Sequence, residues 1–257
     1  DTNHHVLYAL TNFAGSDNVN NNEVWTYNLN SDNSFNNTTT NTRFGDFDSD
    51  PLTLAVNQYN IGYGTSIAFD SVANHMFIAD AINNRVLVYD TSTTPSSSTA
   101  AAYVLGQANF TANSPTTTQS GMRYPAGLAV DESGRKLFVS DSGNNRVLVY
   151  DITSISNGEN AQYVLGQDDF VTRTYHYTDA DKMTTPTDLE FDQTTKMLFV
   201  NNRASINTGG RVQKFDTSTI ANGEAQIDDF DGLDLSVVFT HFNSIAYDPE
   251  TQRVFVG

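Results

Sequence analysis

The sequence predicts an all-β chain built from repeated four-stranded antiparallel sheets, and three observations carry that prediction. The octapeptide NNRVLVYD at 83–90 returns letter for letter at 144–151. YVLGQ at 103–107 returns at 163–167, and an apolar run closed by aspartate recurs at Asp70, Asp131, Asp192 and Asp248. One unit therefore spans about sixty residues, a period that signifies a solenoid, propeller or array.

Taken in order, the chain opens with a partial unit at 1–50, whose runs VLYALTN, EVWTYN and a degenerate TRFGDF match the second to fourth strands of the later units. The unit at 64–110 is complete, with GTSIAFD, NHMFIAD, RVLVYD and AAYVLGQ. The next, at 125–170, has GLAVD, KLFVSD, RVLVYD and AQYVLGQ; the third, at 186–230, has TDLEFD, KMLFVNN, RVQKFD and a weaker GEAQIDDF. NSIAYD and RVFVG make a partial unit at 242–257. Each run is short, rich in Val, Leu, Phe and Tyr, and bounded by Gly, Asn, Asp or Ser, as strands bounded by turns are. Apolar residues occupy consecutive positions in LFV and VLVY, as expected of sheets covered on both faces. Small sheets that repeat and bury one another are the blades of a β-propeller. The chain is expected to be a single propeller over 1–257. The second strand occurs in both partial units and RVFVG stops where its siblings run on into a turn, so the propeller is expected to be incomplete at its carboxyl end.

The composition narrows the function classes. A formal charge of −17 with only 13 Lys and Arg opposes attachment to nucleic-acid phosphates or to an anionic membrane surface. No apolar run approaches the length of a membrane span. The chain has no cysteine, which removes disulfides, thiolate metal sites and cysteine catalysis. Linkers such as NSFNNTTTNT at 33–42 and TSTTPSSSTAA at 91–101 have the polar, low-charge composition expected of an extracellular or cell-surface protein.

P-x-G-L-A-V-D, then K-L-F-V-S-D, then N-N-R-V-L-V-Y-D, with YVLGQ-x-x-F closing the unit, resembles the NHL repeat in its extended bacterial and archaeal form. The resemblance covers nearly the whole chain, most strongly 64–170. It implies a β-propeller, usually six-bladed, in which the first strand of each unit lines the central channel; it implies no single activity. The units here are longer than the family's usual ones. The excess lies after the fourth strand, at 110–125 and 170–186, and in the third connection. Insertions at fixed places in successive repeats fall on one face, often the binding face.

Several constellations could carry chemistry. Asp80 with Asn83, Asn84 and Arg85, and Asp141 with Asn144, Asn145 and Arg146, read as turn structure, the aspartate accepting from turn amides and the arginine lying along the next blade. The first-strand aspartates could hold a hard cation such as calcium, though a turn role suits their position better. Of the histidines, His4, His5, His75, His176 and His241, only His176 and His241 fall in loops preceding a first strand, too few for a histidine metal centre. No nucleophile elbow or phosphate loop is present. The segment RTYHYTDAD at 173–181 gathers Arg173, Tyr175, His176, Tyr177, Asp179 and Asp181 in an inserted loop, and MRYP at 122–125 is read as its sister, with Arg123 and Tyr124. Arginine and tyrosine are favoured anchors of binding surfaces. Arg203 and His241 complete the candidate ligand-binding set. Asn36, Asn37 and Asn109 begin N-x-T sequons and are candidate glycosylation sites.

These readings point to a secreted or cell-surface β-propeller that binds protein or glycan ligands, or copies of itself, through loops on one face. A structural subunit of a sheath, filament or surface layer and a metal-dependent propeller lyase or lactonase remain as alternatives, and calcium as the cofactor to test.

Overall fold

The computed structural model describes residues 6–14, 20–32, 34, 42–45, 55–175, 182–202, 211–225, 227 and 244–257. Apart from one 3-10 turn at Ser142–Asn144, the regular structure among them is β-strand. No helix among the described residues is long and apolar enough to cross a membrane.

The strands form five antiparallel sheets in chain order. β1 (Val6–Ala14), β2 (Asn20–Asn28) and β3 (Thr42–Gly45) make the first. β4 (Gly64–Asp70), β5 (His75–Asp80), β6 (Arg85–Asp90) and β7 (Tyr103–Leu105) make the second, and β8 (Pro125–Asp131), β9 (Lys136–Asp141), β10 (Arg146–Asp151) and β11 (Tyr163–Leu165) repeat it. β12 (Pro186–Asp192), β13 (Met197–Asn202) and β14 (Arg211–Asp216) form the fourth sheet, and β15 (Ile245–Asp248) with β16 (Arg253–Val256) the fifth. Each sheet is a meander whose neighbours in sequence are neighbours in space, the geometry that short turns favour. The expected four-stranded antiparallel blade is realised in the second and third sheets.

The sheets stack in sequence. First strands touch first strands, β4 on β8, β8 on β12 and β12 on β15, so the sheets fan outward from a shared inner edge. Phe77 and Val88 of the second sheet pack with Leu128, Val130, Leu148 and Tyr150 of the third. One step on, Ala129, Phe138 and Val149 of the third meet Leu189, Phe191 and Leu198 of the fourth. This explains the runs without alternation: Val86 to Tyr89 and Val147 to Tyr150 are fully buried, with successive side chains pointing into opposite inter-sheet cores. Each large apolar side chain so buried contributes about 1.5–3 kcal/mol.

The first-to-second turns add polar ties between neighbours. Asn74, Arg135, Lys196 and Gln252 occupy one equivalent position with φ of 54°, 52°, 61° and 53°. Asparagine accepts this left-handed backbone readily, whereas other side chains cost about 1–2 kcal/mol there. Arg135 and Lys196 use the conformation to reach back one sheet. Arg135 donates both terminal nitrogens to Asp70, each at 2.6 Å, and Lys196 donates to Asp131 Oδ1 at 3.1 Å. The first-strand aspartates are thus engaged by turns and by the next sheet: Gly134 N also donates to Asp131, Thr194 N to Asp192, and Glu250 N to Asp248.

Candidate functional site

The end of the fan that carries the second-to-third turns is built around buried carboxylates. Asp80 Oδ1 accepts from the backbone N–H groups of Gly62 (2.9 Å) and Tyr63 (3.1 Å), while Oδ2 accepts from Asn83 Nδ2 (3.0 Å) and Arg85 Nε (2.8 Å). The rest of the Arg85 guanidinium donates to the carbonyls of Asn57, Asn60 and Phe110. The third sheet repeats this. Asp141 accepts from Arg123 N (2.6 Å), Asn144 Nδ2 (2.8 Å) and Arg146 Nε (2.7 Å), and Arg146 donates to the carbonyls of Thr118, Gly121 and Phe170. The turn role expected of these residues holds, with one correction. Each arginine clasps the connections entering and leaving its own sheet instead of lying along the next, because its planar fork has donors to spare for several carbonyls once Nε has paired.

The second asparagine of each turn reaches forward. Asn84 accepts from Tyr124 N (2.9 Å) and donates to Asn113 O (2.9 Å); Asn145 accepts from Thr185 N (3.0 Å) and donates to Arg173 O (3.0 Å). Gln107 and Gln167 close the arrangement from the YVLGQ motif, donating to the carbonyls of Ser114 and Thr174. The inserted connections are therefore latched at their roots.

This geometry places the predicted residues. Arg123 is exposed at its side chain, with its carbonyl held by Gly143 N at 2.8 Å. Tyr124, 48% exposed, has φ of 54°. Arg173 is exposed and Tyr175 is 59% exposed. Gly143 and Asn145 belong to one turn, so a single turn anchors the backbones of both Arg123 and Arg173. The two loops are not sisters in the way the sequence suggested. Asn84 and Asn145 bind Asn113 and Arg173 alike, and Tyr124 and Thr185 alike, so MRYP corresponds to Met183–Pro186, and Arg173 to Asn113. His176, Tyr177, Asp179, Asp181, Arg203, His241, Asn36 and Asn37 lie outside the described residues.

Asn109 is exposed, and its Oδ1 accepts from Thr111 N (3.0 Å) and Thr111 Oγ1 (2.9 Å), an Asx turn that leaves its amide nitrogen outward. With Phe110 and Thr111 it faces Asn57, Gln58 and Tyr59 across a hollow of about 400 Å3. Tyr59 is 47% exposed; sequence reasoning passed over it, although an aromatic in a loop entering a first strand is the same signal that marked Tyr124. His75 packs edge-on against Phe77 and Tyr103, and burial holds its imidazole below the usual histidine range. No group of three or more His, Asp or Glu converges on a metal position among the described residues.

Comparison with known proteins bears on the same segment. The model of the NHL repeat matches residues 122–150, which run from MRYP through β8, β9 and the NNRVLVY strand. Over that segment the chain is similar to the NHL repeat. Human NHL repeat-containing protein 2 is 28% identical over 109 residues, a match covering 42% of this chain and 14% of that protein. Among solved structures, the chain superposes on a β-propeller in a nidogen/laminin complex with a TM-score of 0.51 and 13% identity, covering 98% of this chain and 68% of that one. The hydrazine synthase of Kuenenia stuttgartiensis gives a TM-score of 0.51 at 13% identity over 91% of this chain and 49% of that one. At such identities the likeness is one of fold, and the fold is a β-propeller.

Proposed function

We propose that this NHL propeller is a secreted or cell-surface binding module that takes a protein or glycan partner on the latched loop face. The observation that carries the reading is the exposure of the Arg123, Tyr124, Arg173 and Tyr175 side chains, with the backbones of Arg123 and Arg173 fixed by the buried turn at Asp141–Arg146 and that of Tyr124 by Asn84. Tyrosine and arginine give large contact area and directional donors, and a fixed backbone lowers the ordering cost of binding. An acidic body carrying a local basic and aromatic patch suits an anionic or hydroxyl-rich partner. The surface location draws support from the Asn-, Thr- and Ser-rich loops and the exposed Asn109 sequon.

The test is a glycan array together with affinity capture from the native environment, run with the wild type and with a variant carrying Arg123→Ala, Tyr124→Ala, Arg173→Ala and Tyr175→Ala. The variant is expected to keep its melting temperature within a few degrees and to lose at least about tenfold in affinity, since anchor residues each carry about 1–2 kcal/mol or more. Undiminished binding by the folded variant overturns the assignment.

A further inference from the structure

The face that the fourth sheet turns toward the fifth departs from its siblings. Facing residues in adjacent strands share one side of a sheet, so the registers Ala68–Phe77–Val88 and Ser66–Ala79–Val86 present apolar and small groups toward the third sheet. The third sheet does the same toward the fourth with Ala129–Phe138–Val149 and Ser140–Val147. In the fourth sheet the equivalent positions are Glu190–Phe199–Lys214 and Asp188–Asn201–Val212. Two carboxylates and a carboxamide thus occupy the inner part of an inter-sheet face that is elsewhere built from Ser, Gly and Ala.

Asn201 is fully buried, and neither atom of its carboxamide has a hydrogen-bond partner. It stands directly opposite Asp188, and Glu190 leaves the same face two residues along. Asp188 Oδ2 accepts from Ile245 N at 2.9 Å and Oδ1 from Leu189 N at 3.0 Å. The first of these repeats the tie in which Leu128 N donates to Ser66 Oγ, so a serine already suffices for it and the carboxylate is surplus to that role. Burial pushes both carboxyls above the usual range, and the charge of Asp188 pushes Glu190 further. A buried oxygen acceptor without a donor, on the same sheet face as two carboxylates, is the donor set of a hard divalent cation.

We infer that Asp188, Glu190 and the Asn201 carboxamide oxygen form a binding site for a hard divalent cation of the calcium or magnesium type, lodged between the fourth and fifth sheets near their inner edge. The two carboxylates balance its charge, and water or backbone carbonyls complete its shell. The cation ties the fifth sheet to the fourth beside the apolar cluster of Phe199, Val212 and Ile245. None of its three side chains belongs to the exposed loop-face set of Arg123, Tyr124, Arg173 and Tyr175.

The sibling residues supply the variants, because Ala68 and Ala129 stand where Glu190 does and Ala79 where Asn201 does. Thermal melts of the full chain, stripped with chelator, are recorded with added Ca2+ alone and Mg2+ alone for the wild type, Glu190→Ala, Asn201→Ala and the double variant. At least one ion is expected to raise the wild-type melting temperature with saturation at one ion per chain by calorimetry, and the double variant is expected to show no rise while remaining folded without metal. Terbium luminescence, sensitised through Tyr247 on the facing strand, is expected to fall at least tenfold in the double variant. A wild type whose melting temperature responds to neither ion overturns the proposal. So does a rise retained in the double variant, which would assign the effect to the acidic surface at large.

Discussion

At the scale of single residues, the pair Asp141–Arg146 shows how this chain uses charge. Both side chains are completely buried, 2.7 Å apart, and burial of an ion pair is worthwhile only when every remaining lone pair and proton finds a partner. Here the carboxylate also takes a turn amide and an asparagine, and the guanidinium takes three carbonyls. Truncating Arg146→Met is therefore expected to cost about 3–5 kcal/mol, read from the urea midpoint, because it strands a carboxylate and several carbonyls together. Acidity provides a second residue-scale test. Hydrogen bonds from Thr153 and Ser218 hold Asp151 and Asp216 below the usual carboxylate range, so their stability is present above the unfolded pKa and lost only as pH falls through the folded values, below about 4. Asp188 and Glu190 are raised, so in them the folded state binds protons more readily than the unfolded state, and acidification from neutral pH toward about 4 stabilises the protein. In metal-free buffer the urea midpoint is expected to rise across that upper window, and to rise less in Glu190→Gln. A flat wild-type profile there would count against the burial of these carboxyls.

At the scale of elements, the strands were legible because packing on both faces demands consecutive Val, Leu, Phe and Tyr, and turns demand Gly and Asn. NNRVLVYD could be read as a turn followed by a third strand without coordinates. The direction of its arginine could not, since the carbonyls it binds come from Asn57, Asn60 and Phe110, distant in sequence and carrying no side-chain signal. The equivalence of the two inserted loops was misread for a related reason: shared aromatic and arginine content suggested kinship, whereas the latch to Asn84 and Asn145 depends on backbone groups alone. The Asp188–Glu190–Asn201 set was invisible until registers placed two strands side by side. Two glycines show where elements constrain one another. Gly106 ends β7 with φ of +83°, and a Cβ there would lie 2.7 Å from Met122 Cγ; Gly106→Ala is expected to destabilise by about 1–3 kcal/mol. Gly127 lets β8 approach β12 so closely that a Cβ would lie 2.6 Å from the Asp188 Cα. Backbone cannot move aside as a methionine side chain can, so Gly127→Ala should cost more than Gly106→Ala, and equal or inverted losses in denaturant titrations would show that the two sheets can slide.

At the scale of the whole molecule, the described sheets pack in sequence on their neighbours, so stability is a chain of interfaces more than one shared core. The strongest lie between the second and third sheets and between the third and fourth. There large apolar clusters combine with the Asp70–Arg135 and Asp131–Lys196 ties, and Ser71 N donates to Glu132 Oε1 at 2.9 Å. Beyond the fourth sheet the interface weakens: its buried cluster comprises Phe199, Val212 and Ile245, Gln252 replaces the cation of the first-to-second turn, and Asn202 replaces the aspartate at the second-to-third turn. Local opening free energies follow such differences. Amide hydrogen exchange is therefore expected to be slowest in β5, β6, β9 and β10, through global unfolding, and faster in β15 and β16 through separation of the fifth sheet alone. Arg135→Ala should speed exchange in β4 and β5 at least as much as in β15 and β16, because the tie it removes joins the second and third sheets. Uniform acceleration across all five sheets would instead mean that the propeller opens as one cooperative unit, with no interface weaker than the rest.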